Sequence, residues 1–298
     1  MHFSDAEVER VLREADVEAA LREAFVALAV GRAAQQPRMR TDAGGVKLST
    51  LGAVLPTLGV AGARIYSTIG GAFSFLIVLF SSETGHPIAT FEANAITRRR
   101  TAAVSLLAAR AVAPADPRAI AIFGTGAQGQ SHAEAFARAH PRAELRIVRR
   151  DAPASEARSA LSGAGIVVTA TRSSVPLFDG AWVEPGALVC AVGSSRPDAR
   201  ELDDALLRRC ARVIVEWREQ SLREAGDLVL LPAALRKRLA FVELGEVLAG
   251  KSRGRTREDE IVVFKSVGVG LEDIAVAGLA YGLLAGESRA ASSESSGA

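Results

Sequence analysis

The chain has 298 residues, 49% of them hydrophobic and 23% charged, with a net charge of +2. This is a globular composition long enough for two domains, with no field strong enough to draw in nucleic acid. Apolar runs such as 73–80 fall well short of the roughly 20 residues of a bilayer span, and two cysteines, Cys190 and Cys210, offer no disulfide framework.

In chain order, Met1 to Glu7 has neither a basic start nor an apolar core, so no signal peptide and a cytoplasmic location are expected. Ser4 and Glu7 have the spacing of a capping box and predict a first helix. Asp16 is expected to cap a second, with Leu21, Phe25 and Leu28 on one face and Gly31 as its stop. Segments 46–51, 63–68 and 73–80 carry β-branched and aromatic residues between glycines and predict strands. Thr84-Gly85-His86-Pro87 reads as a turn, and 87–91 resumes the sheet. Ala102, Leu106, Ala109 and Val112 predict one long helix over 96–112, stopped before Pro114.

After Asp116-Pro117 the pattern changes to alternating strands and helices. The run 119–123 is short and wholly apolar, the mark of a buried parallel strand. A helix over 127–140 follows, then strands over 145–148, 166–170, 188–192 and 212–215. A last helix over 272–284 is expected to return to the first domain, and the Ser-, Ala- and Gly-rich tail after Gly286 is expected to be disordered. The fold class is α/β: a Rossmann-type doubly wound parallel sheet plus a β-rich α+β domain for substrate and dimerisation. The expected division is 1–112 with 272–298 for the latter, and 113–271 for the dinucleotide-binding domain.

The sharpest motif is Gly124-Thr125-Gly126-Ala127-Gln128-Gly129. It follows a buried strand and opens a helix, the context that a GxGxxG dinucleotide loop requires. The first Gly makes the tight turn, the second admits the pyrophosphate and the third lets helix and strand pack closely. The end of the next strand selects the cofactor. NAD sites place an acid there; here Arg149-Arg150 stand ready for a 2′-phosphate, with Asp151 one step beyond. NADP is therefore expected in preference to NAD. His2, His86, His132 and His140 are scattered, without the spacing of a zinc site, so no metal is expected. Asp198 and Asp203-Asp204 read as loop and helix-cap charges, and Trp182 and Trp217 as packing.

With these motifs, the chain resembles the ornithine cyclodeaminase and mu-crystallin family over residues 3–284. The resemblance rests on Ile96 to Ala103 (ITRRRTAA), the glycine loop, Val192 to Leu202 (VGSSRPDAREL), Glu243 to Val247 (ELGEV), and Val263 to Gly268 (VFKSVG) with Glu272-Asp273. Residues 194–204 look closer to mu-crystallin than to the cyclodeaminases. The resemblance implies a homodimer built on the β-rich domain, and a small amino- or imino-acid substrate oxidised or reduced at its α-carbon. It implies that Arg100 and Arg38 hold the substrate carboxylate, Arg40 being a nearby competitor of Arg38. It adds Thr101, Thr171, Val192 and Ser266 to the cofactor-binding set.

Three departures stand out. Arg64 occupies the place of a family lysine, and arginine holds its proton too tightly to shuttle it. Only four of the 36 basic residues are lysine, so base composition alone could also put an arginine there. Ser195 occupies the place of the cyclodeaminases' aspartate and offers no anion to a distal ammonium. Between Arg150 and Ile166 there is room for one helix, where relatives fit a helix, a strand and a second helix, so an outer strand is expected to be missing. Among spare acids, Asp227 and Asp273 stand out, with Asp273 expected to cap a helix.

These features imply NAD(P)H-dependent reduction of a cyclic imino acid, a ketimine such as pyrroline- or piperideine-carboxylate, with Arg38, Arg64, Arg100 and Ser195 in the site. The alternatives are an ornithine cyclodeaminase or alanine-dehydrogenase-like deaminase, and a crystallin-like protein that binds cofactor without catalysis.

Overall fold

The computed structural model describes residues 1–295, with side chains through Glu287. The chain divides into two compact units, 1–100 with 269–298, and 101–268.

The first unit opens with β1 (His2–Phe3), α1 (Asp5–Val11) and α2 (Glu14–Ala29). The Ser4–Glu7 capping box forms as expected. Asp16 does not cap α2. The helix starts three residues earlier, at Glu14 with Arg13 in the N-cap position, and the Asp16 carboxylate instead accepts Arg13 Nε at 2.8 Å. An acid in the first turn still faces the positive end of the helix dipole. Gly31 takes the left-handed conformation just past α2, at φ 75°, which glycine adopts without steric cost.

The sheet follows: β2 (Ala34–Gln35), β3 (Met39–Ala43), β4 (Val46–Leu55), β5 (Val60–Ile69), β6 (Ala72–Ser81) and β7 (Pro87–Glu92). Its order is β1-β7-β6-β5-β4-β2, with β3 also on β4. All neighbours are antiparallel except β1 and β7. α3 (Asn94–Val112) then leads into the second unit.

Alternation gives this sheet two faces. One carries Leu51, Leu55, Val60, Ile77 and Leu79, all buried. It packs against the last helix, α11 (Gly270–Ser295), which also meets α2. Gly62 and Gly278 allow that closeness: a Cβ on Gly62 would stand 3.1 Å from Ile274, and one on Gly278 3.0 Å from Val60. The other face carries Val46, Leu48, Val54, Ile69, Leu76 and Phe80, all exposed. α11 begins two residues before the expected start and is assigned to Ser295; the tail expected to be disordered ends in residues 296–298, which lie outside the described residues.

The second unit contains β8 (Ala119–Phe123), α4 (Ala127–Ala139), β9 (Glu144–Val148), α5 (Ala154–Leu161), β10 (Ala164–Thr169), β11 (Leu188–Ala191), α6 (Asp204–Arg209), β12 (Cys210–Val215), α7 (Arg218–Glu224), α8 (Gly226–Val229), α9 (Ala233–Arg238), β13 (Phe241–Glu243), α10 (Leu244–Leu248) and β14 (Ile261–Lys265). Its sheet runs β13-β12-β14-β11-β10-β8-β9, every pair parallel. The central strands β8, β11 and β14 are buried throughout, as a sheet covered on both faces demands.

β9 stands at the sheet edge, and the chain passes through the single helix α5 to β10 on the far side of β8. No strand pairs with the outer side of β9 among the described residues. The strand order reverses at β8, where open α/β sheets bind ligands beyond the carboxyl ends of their strands. No described helix is long and apolar enough to cross a membrane.

Candidate active site

In the second unit the glycine loop joins β8 to α4, and two of its three glycines have a steric reason within the protein. Gly124 has φ 128°, and a Cβ there would meet the Ala170 carbonyl oxygen at 2.5 Å. A Cβ on Gly129 would lie 2.0 Å from the Gly124 carbonyl oxygen. Both glycines therefore serve the turn and the packing of α4 on β8. Gly126 differs: nothing lies within 4 Å of the Cβ it lacks. Thr125, Gly126 and Ala127 are exposed, and no side chain caps the start of α4. Its first N–H groups are thus free to meet an anion. The buried Gln128 Oε1 has no hydrogen-bond partner among the described residues. An open cradle, uncapped N–H groups and an orphaned acceptor fit a dinucleotide's pyrophosphate and neighbouring hydroxyls.

Gly124 N–H donates to the Val148 carbonyl at 2.9 Å, which ties the loop to the end of β9. Arg149 and Arg150 follow there, both exposed. The Arg149 guanidinium is forked onto Asp151 at 2.9 and 3.2 Å. This pair lifts the Arg149 pKa and lowers that of Asp151.

Thr171, Val192, Ser195 and Ser266 lie in loops beyond the carboxyl ends of β10, β11 and β14. Thr171 donates through N–H and Oγ1 to Glu201, and Val192 N–H donates to the Thr169 carbonyl. Ser266 Oγ donates to Glu216 at 2.5 Å. Thr101 is buried in α3, and Ser195 is half-buried.

In the first unit Arg64 and Arg100 come together around two acids. Arg64 Nη1 reaches both oxygens of Asp273, at 3.2 and 3.3 Å. Arg100 Nη1 donates to Glu272 at 2.8 Å, and its Nε lies 3.4 Å from Asp273. Asp273 is therefore not the expected helix cap but a bridge between two guanidinium groups. Both acids sit in the first turn of α11, where the helix dipole favours negative charge. All four residues are buried, the acids completely. The Arg64 guanidinium also lies 4.1 Å from the centre of the Phe75 ring.

Burial pulls the Arg64 pKa below its ordinary value, Asp273 opposes this, and Arg100 adds to it. The starting value is high enough that the group stays charged. Two cations and two anions balance, which makes their shared burial tolerable.

Arg38 lies just before β3 and is half-buried. Met39 pairs with Thr50 and Leu51 with Arg64, so Arg38 lies beside the cross-strand row that carries Arg64. Arg40, inside β3, is exposed.

Several buried charged residues escaped the sequence. Glu201, Glu216, Glu272 and Lys265 are buried, and Asp227 is no spare acid: its Oδ1 accepts the backbone N–H groups of Glu201 and Leu202. The available signal was position, since Glu216 and Lys265 close or directly follow apolar strands. His132 lies buried between Ser105 Oγ and the Gln128 carbonyl. Among the described residues no group of three or more His, Cys, Asp or Glu could hold a metal ion.

The profile of the ornithine cyclodeaminase/mu-crystallin family matches residues 1–159 and 152–287. Ketimine reductase mu-crystallin of Mus musculus is 36% identical over 220 residues, covering 69% of this chain and 68% of the relative. A delta(1)-pyrroline-2-carboxylate reductase of Bacillus cereus is 34% identical over 230 residues, covering 69% and 70%. The crystal structure of a probable ornithine cyclodeaminase from Bordetella pertussis Tohama I superposes with a TM-score of 0.92 at 45% identity, covering 96% of this chain and 97% of that one.

Proposed function

The chain belongs to the ornithine cyclodeaminase/mu-crystallin family, and we propose that within it the chain is an NAD(P)H-dependent reductase of a cyclic imino acid. The substrate is a ketimine of the pyrroline- or piperideine-carboxylate kind, reduced to the cyclic amino acid. The observation that carries this reading is the Arg64–Asp273–Arg100–Glu272 cluster. It presents fixed guanidinium charge and no amine that could exchange a proton near neutral pH. Deamination with cyclisation needs repeated proton transfers and an anion to grip the distal amine. Ser195 supplies no such anion. Imine reduction asks only that the C=N carbon be positioned and the charges around it be fixed.

In this reading Arg64, Arg100 and Arg38 bind and orient the substrate carboxylate. Arg64 has its Nη1 on Asp273, and its Nη2 has no acceptor among the described residues. The nicotinamide, when bound through the loop 124–129, supplies the hydride. That hydride would be accepted at the α-carbon of a protonated C=N bond, giving the cyclic secondary amine, with the three arginines holding the carboxylate beside it. Ser195 positions water. The test is loss of reduced-nicotinamide absorbance with pyrroline- and piperideine-2-carboxylate, with pyruvate plus ammonia, and with ornithine. Oxidation is expected with the cyclic imines alone; turnover confined to ornithine would overturn the reading.

The preferred cofactor in this reading is NADPH. An exposed ion pair such as Arg149–Asp151 is weak and can yield to a 2′-phosphate. Changing Arg149 and Arg150 together to alanine should weaken NADPH binding roughly tenfold or more, as for lost charged hydrogen bonds, with NADH binding almost unchanged. Equal losses for both cofactors in a titration would refute the assignment.

We also propose a homodimer formed through the exposed face of the first sheet. Six large apolar residues on one face are a costly surface to leave wet. The wild type should scatter light as a dimer at micromolar concentration, and Leu48→Asp with Leu76→Asp should give a folded monomer. A monomeric wild type would contradict this.

A further inference from the structure

One carboxylate in the second unit collects four donors without touching solvent. Glu201 Oε1 accepts Thr171 N–H at 2.7 Å and Thr171 Oγ1 at 2.8 Å. Its Oε2 accepts Gly193 N–H at 2.8 Å and Thr169 Oγ1 at 2.9 Å. These donors come from the carboxyl end of β10 and the loops that follow β10 and β11. Gly193 is required for the approach, since a Cβ there would lie 2.4 Å from Glu201 Oε1 and 2.2 Å from the Thr171 carbonyl oxygen.

Glu201 is itself braced. Its backbone N–H and that of Leu202 donate to Asp227 Oδ1 at 2.7 and 2.8 Å. Asp227 Oδ2 lies 3.0 Å from Lys265 Nζ, the last residue of β14. The angle there does not make a hydrogen bond, so the contact is an ion pair. Three neighbouring strand ends, of β10, β11 and β14, are thereby locked by one chain of buried charges.

A buried carboxylate is expensive, and apolar packing could join these loops at less cost. What the carboxylate adds is a fixed direction for four N–H and O–H groups. It does so beyond the carboxyl ends of the strands, on the side where doubly wound sheets bind their ligands. We infer that Glu201 is a positioning residue that sets the loops 171–173 and 193–194 in the shape that receives the nicotinamide half of the dinucleotide. The inference rests on the dinucleotide reading above.

The test compares two probes on the full chain by calorimetry: NADPH, and 2′-phospho-ADP-ribose, which lacks the nicotinamide. Glu201→Gln keeps the size of the side chain but turns amide hydrogens toward donors. It should weaken NADPH at least about tenfold and leave the fragment within about twofold. Should that variant not fold, Thr169→Val removes one donor isosterically and should give a smaller loss confined to NADPH. Equal losses for both probes, or none for either, would overturn the inference and leave the dinucleotide reading standing. A wild type that binds no dinucleotide would overturn both.

Discussion

Asp273→Ala should destabilise the first unit by about 3–5 kcal/mol, because it strands two buried cations. In the wild type Asp273 holds Arg64 through two contacts and stands 3.4 Å from Arg100 Nε. Without it Glu272 still holds Arg100, while among the described residues the Arg64 guanidinium keeps only its aromatic neighbours, Phe75 and Tyr66. Adding Arg64→Met to the same chain should recover a large part of the stability, since a flexible apolar side chain can lie against Phe75 without a counter-charge. Urea unfolding of the two variants checks this. A single variant as stable as the wild type would mean that the cluster is hydrated, and that Arg64 is an ordinary surface cation.

Gly126→Ala should cost about a hundredfold in dinucleotide affinity, near 2.7 kcal/mol, while leaving the melting temperature unchanged. The contrast is with Gly129→Val. A Cβ at 129 must displace the Gly124 carbonyl 2.0 Å away, so the loop, α4 and β8 are all strained, and stability should fall by about 1–3 kcal/mol. At 126 the backbone has an ordinary extended conformation, φ −76°, and the space beyond it is open. A methyl group there harms nothing in the free protein and occupies the ground a pyrophosphate needs. Fluorescence titration with NADPH and thermal melts of both variants separate the two roles. Full affinity in Gly126→Ala would show that the loop holds no pyrophosphate.

The loop was legible because its chemistry is local: β8, the turn and α4 are consecutive, and Gly124 and Gly129 are each required by close backbone contacts. The long strands of the first sheet were legible for the same cause, an apolar alternation bounded by glycines. The strands β1, β2 and β13 have two or three residues, too few to show a period, and β3 (Met-Arg-Thr-Asp-Ala) is exposed throughout, with no buried side to give an alternation. β14 reads Ile-Val-Val-Phe-Lys, a run that periodicity alone cannot distinguish from a stretch of buried helix. Its Lys265 looks like a strand-end surface charge until Asp227 is found beside it. The acids were harder still. Asp273 resembles a cap because it follows the start of a helix, and only folding brings it to Arg64, 209 residues away in sequence. Burial of Glu201 and Glu216 depends on loops whose shape those same residues set. The placement of Arg64 at a lysine position was visible in the sequence. What the structure adds is how the guanidinium sits: Nη1 alone meets Asp273, and the flat delocalised group lies 4.1 Å from the centre of the Phe75 ring, a contact that suits arginine better than the compact ammonium of lysine.

Reduction by this chain requires hydride delivery to an imine carbon. The most direct measurement supplies NADPH deuterated at the transferable C4 position together with pyrroline-2-carboxylate, and examines the proline formed by mass spectrometry and proton NMR. A single deuterium on the α-carbon, with one deuterium lost from the cofactor for each proline made, is the predicted result. Proline without label, or ammonia released from ornithine with no net change in the cofactor, would contradict it.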